Sequence, residues 1–462
     1  MEPRVVIVGA GPAGTRCAQV LVSYGIRPLV IDENNRDGGQ IYRRQPSGFT
    51  RGYSQLYGTE ASKAKALHEC FDSLLDHIDY WPETCVWGIS GKTLYASCKG
   101  EHREVEFDRL ILCTGATDRL LPVKGWHHAG TFSLGGAQIA LKAQAVSIGH
   151  CVVFMGTGPL LYLVAAQYVK AGAKVAAVLD TSALSQRLKA LPMMLARPMV
   201  MLTGLQLMWR LWRARVPIHT GIRPDEIQGD QASGVCAVSW FDRAGRYQRL
   251  ACDAVGVGYH LRPETQLADL AKCAFGFERE TGQWVMQLDD DYRTSRPNVY
   301  AAGDCARVRG ADAAEAAGRL MATSVLSDLG FAIDAEFVLQ QRTLLKALDR
   351  FRMGLAQAFP WPADHAAQLP NEAIVCRCEC ITAGDLRAVV RERHACEANR
   401  AKAFSRVGMG RCQGRYCAEA GAQIIASAAH VPVETVGRLR GQAPVRPLQV
   451  SPATEASKES VK

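Results

Sequence analysis

The sequence lacks any apolar run long enough to cross a membrane. Its most apolar long segment, residues 191–216, contains four arginines. The longest uncharged run within it, residues 198–209, falls well short of the roughly 20 residues that a spanning helix needs. A buried strand predicted from Val5 onward leaves no room for an export signal before it. We therefore expect a cytoplasmic protein whose contact with the membrane is at most peripheral, on its inner face.

The sequence also lacks a concentrated excess of charge. The net charge of +9 is small for 462 residues and is spread along the chain, which argues against a nucleic-acid-binding surface. An apolar fraction of 48% and a charged fraction of 21% are typical of soluble globular proteins. The length predicts several domains.

Disulfide bonds are not expected, although the chain has 16 cysteines. A chain without an export signal keeps its thiols reduced or uses them as metal ligands. Most of these cysteines are isolated in the sequence and are interpreted as core residues. Examples are Cys17, Cys70, Cys113, Cys151 and Cys236. The C-terminal region is the exception, because several cysteines are closely spaced there.

A glycine-rich turn near the N-terminus predicts a dinucleotide site. The β-forming residues 5–8 lead into Gly9-Ala10-Gly11-Pro12-Ala13-Gly14, the GxGxxG pattern of a strand that turns into a helix. Gly9 permits the tight turn, and Gly11 lets the backbone approach a pyrophosphate at the helix N-terminus. Gly14 lets the helix pack closely on the strand.

Later motifs agree with a dinucleotide site. An acidic residue about 20 residues after the glycines holds the adenosine ribose in such folds, and Asp32 has better spacing than its alternative, Glu33. The paired glycines of Gly38-Gly39-Gln40 permit a second close approach of the backbone. Two further predicted strands end on Thr114-Gly115 and on Gly303-Asp304. Separated motifs in this order are far more specific than one glycine turn.

This combination resembles the two-dinucleotide-fold flavoprotein disulfide reductases, in their thioredoxin-reductase-like branch. The resemblance implies an α/β fold with two Rossmann-like dinucleotide-binding domains, the first of which binds FAD. It implies that the Thr-Gly turn marks the chain crossing between domains and that Asp304 bonds the ribityl and phosphate end of the flavin. The implied FAD residues are Gly9, Gly11, Pro12, Ala13, Gly14, Asp32, Glu33, Gly39, Gln40, Thr114, Gly115, Gly303 and Asp304. We expect a discontinuous FAD domain, residues 1–125 and 251–330, interrupted by a second domain, residues 126–250.

The second predicted nucleotide fold lacks features that NAD(P)H-using relatives require. Gly156-Thr157-Gly158-Pro159-Leu160-Leu161 repeats the start of the first fold, but Leu161 replaces the third glycine and would wedge the helix away from the strand. Leu179 stands at the position equivalent to Asp32, although Asp180 follows it, and no arginine pair follows to hold a 2′-phosphate. We therefore expect the fold to be retained and the use of NAD(P)H to be disfavoured. The redox CxxC or CxxxxC of the disulfide reductases is also missing, which excludes thioredoxin reductase activity.

Residues 186–216 predict two helices inserted into the second domain. The segment is rich in methionine, leucine and tryptophan. Three interpretations stay open. They are a buried helical insertion, a protein–protein contact surface, for which Met and Trp are well suited, and a membrane-surface helix whose arginines reach the lipid headgroups.

Closely spaced cysteines predict a metal centre after a helical linker, residues 331–370. Cys376-Arg377-Cys378 and the segment from Cys412 to Cys417 place a close pair of thiols on each of two loops. Such thiolates suit a 2Fe–2S cluster, which takes two cysteines on each iron. Structural zinc is the competing interpretation, although zinc usually prefers CxxC knuckles, and unliganded thiols are the third. Between the loops, Thr382 is predicted to cap a helix with Asp385.

This segment resembles the small helical bacterioferritin-associated-ferredoxin-like 2Fe–2S domain, here residues 371–430. By that resemblance the ligands are Cys376, Cys378, Cys412 and Cys417. Cys380 is an additional cysteine close to them. Beyond this domain, the composition of residues 443–462 predicts a disordered tail.

The complete order of motifs resembles the α (A) subunits of bacterial heteromeric amino-acid dehydrogenases, a family that includes opine oxidases, dye-linked proline and D-hydroxyproline dehydrogenases and hydrogen cyanide synthase. The resemblance covers residues 1–430. It implies an oxygen-independent enzyme in which a D-amino-acid-oxidase-like flavoprotein subunit oxidises a secondary amine or amino acid, such as D-hydroxyproline or an opine. This chain would carry the electrons onward through FAD and a 2Fe–2S cluster. Further candidates by analogy are an FMN at a subunit interface and a small third ferredoxin-like subunit.

No residue of the sequence identifies a catalytic group that acts on a substrate, which agrees with chemistry on a partner. Two alternatives from other classes stay open. One is a stand-alone NAD(P)H-dependent flavin or ferredoxin reductase, for which Leu161 and Leu179 are unfavourable. The other is a non-enzymatic redox-sensing scaffold that uses the cluster as a switch.

Overall fold

The chain forms two parallel five-stranded sheets, each with helices packed on it, followed by a small helical unit. The computed structural model describes residues 3–46, 48–230 and 232–448. In that part of the chain, no helix is long and apolar enough to cross a membrane.

The first part of the chain supplies four strands of the first sheet and an antiparallel side sheet, β4–β6. Its elements are β1 (Val5–Val8), α1 (Pro12–Ser23), β2 (Leu29–Ile31), α2 (Tyr53–Tyr57), α3 (Ala61–Leu74), β3 (Asp79–Trp81), β4 (Thr84–Ser90), β5 (Thr93–Cys98), β6 (Glu101–Glu106), β7 (Arg109–Leu112) and β8 (Ala116–Asp118). All four residues of β1 are buried, because a central strand of a parallel sheet is covered on both faces.

The second part of the chain forms the second sheet, in the order β12–β11–β10–β16–β9 with all neighbours parallel. Its elements are β9 (Thr131–Ser133), α4 (Leu134–Ala143), β10 (Cys151–Thr157), α5 (Pro159–Lys170), β11 (Lys174–Asp180), α6 (Leu184–Met194), α7 (Pro198–Arg213), β12 (Ile218–Thr220), β13 (Arg223–Asp230), β14 (Gly234–Phe241), β15 (Tyr247–Ala251) and β16 (Ala254–Tyr259). The sequence places the return to the first domain at residue 251. However, β16 pairs along its length with β10, so the return follows Tyr259.

The third part of the chain completes the first sheet. Its elements are β17 (Leu261–Pro263), α8 (Gln266–Leu270), β18 (Phe275–Glu278), β19 (Gln283–Met286), β20 (Val299–Ala301) and α9 (Ala311–Asp328). The strand order is β20–β7–β1–β2–β3, again all parallel. The two crossings between the domains lie side by side, because β17 pairs with β8 in antiparallel fashion. Helix α9 packs tightly on α1, since a Cβ on Gly318 would lie only 2.2 Å from the carbonyl oxygen of Ala13.

The C-terminal region begins with a long helix and continues as a small helical unit, the C-terminal unit, which packs on both domains. Its elements are α10 (Ala335–Ala358), α11 (Ala363–Ala367), β21 (Ile374–Cys376), β22 (Ile381–Thr382), α12 (Ala383–Arg393), α13 (Ala398–Ser405), α14 (Ala418–Ala429) and α15 (Val433–Val436). Thr382 caps α12 as the sequence predicts, since its hydroxyl accepts from the Asp385 N–H at 3.1 Å and the Asp385 carboxylate accepts from the Thr382 N–H at 2.9 Å. Val375, Leu386 and Ile424 share one buried cluster with apolar residues of the second domain.

The predicted disordered tail is wrong for the part that the structure describes, residues 443–448. Val445 is buried in the core of the first domain. Its N–H donates to the carbonyl oxygen of Trp87 at 3.0 Å, and Arg446 pairs with Glu33. These contacts between residues far apart in sequence outweigh the polar composition. The remainder of the predicted tail, residues 449–462, lies outside the described residues.

A buried ion pair joins the C-terminal unit to residues 261–264, where the chain returns to the first domain (the return crossing). Arg415 and Glu264 are both buried, and their closest N···O distance is 2.6 Å. Burial by itself would raise the pKa of Glu264, but the adjacent Arg415 guanidinium brings that pKa below its ordinary value. The pair is therefore charged and depends on both partners.

Replacing Arg415 by Met is expected to lower the free energy of unfolding by about 3–5 kcal/mol, because the Glu264 carboxylate is left buried without a partner. Chemical denaturation of the full chain measures this loss. The matched control is Arg279→Met, which removes the exposed partner of Glu434 and should cost about 0–1 kcal/mol. Adding Glu264→Gln to Arg415→Met should restore part of the stability. Equal losses in the two single variants would contradict the prediction.

Candidate functional site

A cavity of about 900 Å³ lies at the carboxyl ends of β1, β2 and β7. In parallel sheets, ligands bind outside these ends, and the volume lies in the range of small-molecule and cofactor sites. Every predicted FAD residue except Gly14 lines the cavity. The lining positions are Gly9, Gly11, Pro12, Ala13, Asp32, Glu33, Gly39, Gln40, Thr114, Gly115, Gly303 and Asp304.

The glycine turn has the geometry that a close backbone approach requires. Gly9 has a φ of +111°, and a Cβ there would lie 2.2 Å from the carbonyl oxygen of Cys113. A Cβ on Gly14 would lie 1.8 Å from the carbonyl oxygen of Gly9, so Gly14 serves the packing of α1 rather than the cavity. Gly11 lies against Gly39 in the wall of the cavity. Helix α1 begins at Pro12, directly after Gly11, with its N-terminus toward the cavity. Helix N-termini of this kind favour phosphate groups.

Both candidate ribose-binding carboxylates border the cavity. Asp32 is buried and accepts hydrogen bonds from the N–H groups of Ala10 at 2.6 Å and Asn34 at 2.7 Å. Burial raises the pKa of Asp32, and these two N–H donors oppose that rise. Glu33 is exposed and lies 3.1 Å from Arg446. A carboxylate oxygen can accept more than one hydrogen bond, so Asp32 retains capacity for a ribose hydroxyl.

The two later turns lie where the chain crosses between the domains and where α9 begins. The Thr114 hydroxyl donates to the carbonyl oxygen of Glu264 at 2.7 Å, which ties the first crossing to the return crossing. Asp304 lies in a single helical turn, residues 303–305. Its carboxylate accepts from the N–H groups of Arg309 at 3.0 Å and Gly310 at 3.3 Å. Burial raises the pKa of Asp304 in spite of these donors. The open cavity, the glycine turn and the helix N-terminus together fit a dinucleotide.

The equivalent edge of the second sheet is closed by its own side chains. Asp180, at the end of β11, is fully buried and accepts from the hydroxyls of Thr157 at 2.9 Å and Tyr162 at 2.6 Å. Arg187 also pairs with Asp180, at 2.7 Å. Leu161, in the first turn of α5, is fully buried in the core of this domain. Asp180, the carboxylate at the end of β11, is therefore already bonded to side chains of its own domain.

The linker after α10 covers this closed edge. The His260 ring lies over the second glycine turn, where a Cβ on Gly158 would be 3.0 Å from its Nδ1 atom. The same ring hydrogen-bonds the carbonyl oxygen of Phe359. Arg187 stacks 4.9 Å from the centre of the Phe359 ring, and Trp361 packs edge-on against Tyr259. The large cavity reaches Gly158 but is not lined by Thr157 or Asp180 beyond it.

Sequence reasoning missed His260, Phe359 and Trp361 as residues that pack at the carboxyl edge of the second sheet. Phe359 and Trp361 lie between α10 and α11, beside Pro360 and Pro362. No local pattern in the sequence predicts that this linker folds back onto the second sheet.

The four predicted cysteine ligands form two interacting pairs. Cys376 hydrogen-bonds with Cys417, and Cys378 interacts with Cys412. The bond from Cys417 and the N–H groups of Gly408, Glu379 and Cys378 lower the pKa of the Cys376 thiol to about 6, against the effect of burial. Cys380 is exposed.

The loop containing Gly410 crosses directly over one of these pairs. A Cβ on Gly410 would lie 2.2 Å from the Cβ of Cys378, so only glycine allows this approach. Among the described residues, no three His, Cys, Asp or Glu side chains converge on one metal position.

The loop of Cys412 and Cys417 forms part of the wall of the same cavity. Arg415 and Tyr416, which lie between these cysteines, line the cavity. Arg262 donates to the carbonyl oxygen of Arg415 at 2.9 Å, and the Gln266 amide donates to that of Gln413 at 2.7 Å. The cysteine loop is thus held to the same crossing segment that closes the cavity.

Comparison with known proteins defines the class. Residues 3–319 match the family of pyridine nucleotide-disulphide oxidoreductases. The fold is similar to that of a thioredoxin reductase from T. acidophilum, with a TM-score of 0.51 and 20% identity over 71% of this chain and 99% of that chain. The class is therefore that of flavoprotein oxidoreductases, and membership implies FAD.

Full-length similarity narrows the class to one family. The chain is 35% identical to the α (A) subunit of opine oxidase from Rhizobium meliloti, over 97% of this chain and 86% of the relative. It is 31% identical to hydrogen cyanide synthase subunit HcnB of Pseudomonas aeruginosa, over 90% of this chain and 91% of the relative. The chain belongs to the family of these subunits, as the sequence predicted. The fold also matches L-proline dehydrogenase from P. horikoshii, with a TM-score of 0.68 and 18% identity over 97% of this chain and 78% of that chain.

The closed second edge predicts that nicotinamide nucleotides do not reduce this flavoprotein. Mixing the oxidised, FAD-loaded chain with excess NADH or NADPH under anaerobic conditions should leave the visible flavin absorbance unchanged, because Asp180 and the glycine turn are covered. Rapid-mixing spectrophotometry makes the measurement, and dithionite is the control that shows the flavin to be reducible. Rapid bleaching by either nucleotide would refute the prediction and favour the reductase alternative.

Proposed function

We propose that this chain is the electron-transfer subunit of a multi-subunit, dye-linked, oxygen-independent amino-acid dehydrogenase. FAD would lie in the first cavity, and a 2Fe–2S cluster would be held by Cys376, Cys378, Cys412 and Cys417. The observation that carries this proposal is that the loop of Cys412 and Cys417 is itself a wall of the flavin cavity. The two candidate redox sites are therefore neighbours within one chain.

The residues of the chain suit such a relay. When bound, FAD supplies two-electron chemistry and the cluster one-electron chemistry, so the pair can convert one into the other. Arg415 and Glu264 fix the cysteine loop against the cavity, and Gly410 brings the backbone close to Cys378. The linker at Phe359 closes the alternative entry for electrons from a nicotinamide nucleotide.

Substrate oxidation is assigned to a partner chain. The relatives with full-length similarity are named as subunits of opine oxidase and of hydrogen cyanide synthase. By this analogy we infer a D-amino-acid-oxidase-like flavoprotein partner that oxidises a secondary amine or amino acid, such as D-hydroxyproline or an opine. An FMN between subunits and a small ferredoxin-like third subunit belong to the same analogy. The covered second edge argues against the stand-alone NAD(P)H-dependent reductase.

Replacing single cysteines tests the cluster. Cys378→Ser should remove most of the iron and acid-labile sulfide, because one thiol of a pair is lost, while the parent chain should hold about two of each. Cys380→Ser is the matched control, since Cys380 is exposed and two residues away, and it should retain both. Assays of iron and acid-labile sulfide, each expressed per bound flavin, measure the cluster content of each variant. Zinc in the parent chain, or equal loss in the control, would contradict the cluster.

Separating the chain from its partner tests the relay. The isolated chain should show no dye reduction with D-hydroxyproline or an opine, whereas the chain assembled with its flavoprotein partner should reduce the dye. Assembly with Cys378→Ser in place of the parent chain should slow dye reduction while the partner's flavin is still reduced by substrate. Full dehydrogenase activity from the isolated chain would overturn the proposal.

A further inference from the structure

Helices α6 and α7 form a hairpin that projects large apolar side chains into solvent. On α6 these are Leu184, Leu188 and Leu191, and on α7 they are Leu202, Leu205, Trp209 and Trp212, all between 40% and 73% exposed. The intervals of three and four residues place each set on one side of its helix. We call this surface the outer face of the hairpin.

The opposite side of the hairpin is already packed. Ala190 of α6 and Leu211 of α7 are fully buried in the core of the second domain. Gly354 of α10 approaches Met193 and Met194 closely, with an ideal Cβ 2.9 Å and 3.0 Å from them. The interpretation as a buried insertion therefore applies only to the inner side. Contiguous exposed apolar surface of this kind marks a binding surface.

The charged residues of the hairpin segment have one sign. No aspartate or glutamate occurs between Asp180 and Asp225. Arg187 and Arg197 are engaged by Asp180 and Asp312 on the inner side. Lys189 of α6 is exposed, as are Arg210, Arg213 and Arg215 at the end of α7. Arg213 lies 5.4 Å from the centre of the Trp209 ring, so cationic and aromatic side chains are adjacent on this face.

We propose that the outer face of the hairpin binds an anionic lipid bilayer, with α6 and α7 lying in the plane of the headgroups. Neither helix is long enough to cross a bilayer. A helix with Leu and Trp on one side and Arg and Lys beside them is the usual form of an interfacial helix. Basic side chains add attraction to anionic headgroups, which an acid-free surface does not offset.

These features favour a bilayer over a protein partner. Interfaces between proteins have cores from which charged residues are depleted and rims in which both signs occur. The charged side chains of the hairpin segment itself, residues 181–224, are all basic, on both of its helices. Arg197 and Val200, at the start of α7, also line the flavin cavity, so a bound bilayer would lie beside its mouth.

Vesicle binding by the FAD-loaded full chain tests the proposal. The chain should sediment with vesicles of phosphatidylcholine containing about one-third phosphatidylglycerol and bind pure phosphatidylcholine about tenfold less, because the basic side chains then lose their counter-charge. High salt should weaken the binding, since it screens these charges. Leu205→Glu should reduce binding to the anionic vesicles by about tenfold, as an apolar anchor is replaced by a like charge.

Matched variants distinguish binding through the outer face from nonspecific adsorption to vesicles. Leu339→Glu is the apolar control, because Leu339 of α10 is 65% exposed and Leu205 is 63% exposed. Arg213→Glu should weaken binding, and Arg350→Glu, an exposed arginine of α10, is its control. Flavin content and thermal unfolding show whether each variant is folded.

The proposal is overturned if the parent chain binds neither kind of vesicle, or if the control variants weaken binding as much as the hairpin variants. It is also overturned if Leu205→Glu leaves vesicle binding unchanged but abolishes association with the partner subunit, since the outer face is then a protein interface. These outcomes are independent of the relay, which is measured by dye reduction of the assembled enzyme.

Discussion

A single buried guanidinium, that of Arg415, connects the three segments that form the candidate site. It pairs with Glu264 on the return crossing and donates to the carbonyl oxygens of Cys412 and Val445. Charges removed from water are stable only when partners and further hydrogen bonds offset the lost hydration, and Arg415 has both. The position of the cysteine loop beside the flavin cavity therefore depends on this pair, as does the packing of the residues that follow the C-terminal unit.

The strands β3–β2–β1–β7 of the first sheet and β12–β11–β10–β16 of the second are arranged alike, but the carboxyl edges of the two sheets differ. The first edge opens into a cavity lined by a glycine turn, a helix N-terminus and two carboxylates. At the second edge Asp180 accepts hydrogen bonds from Thr157 and Tyr162 and pairs with Arg187. The linker at Phe359 lies over the second glycine turn. One fold therefore provides an open cavity in one copy and a packing surface for the chain's own linker in the other.

Local patterns predicted the parts of the site that depend on neighbouring residues. The roles of Gly9 and Gly14 follow from turn geometry. The spacing of the cysteines predicted a close pair on each of two loops, whereas the folded chain brings Cys376 to Cys417 and Cys378 to Cys412, across the two loops. Predictions failed where contacts are distant in sequence. Val445 is buried in the core of the first domain and its N–H donates to the carbonyl oxygen of Trp87, and β16 joins the second sheet after the expected boundary at residue 251. Contacts between residues far apart in sequence decide both.

The sequence alone determined the α/β class and the family, because glycine turns, strand ends and cysteine spacing act over a few residues. Only the tertiary structure decided which cavity is open, which surface is exposed and how the cysteine loop reaches the flavin cavity. Arg415 and Glu264 stand 151 residues apart, so no periodicity reveals their pairing. The outer face of the hairpin is likewise recognised only in the folded chain, since an apolar pattern shows that two faces differ but not which of them another element covers.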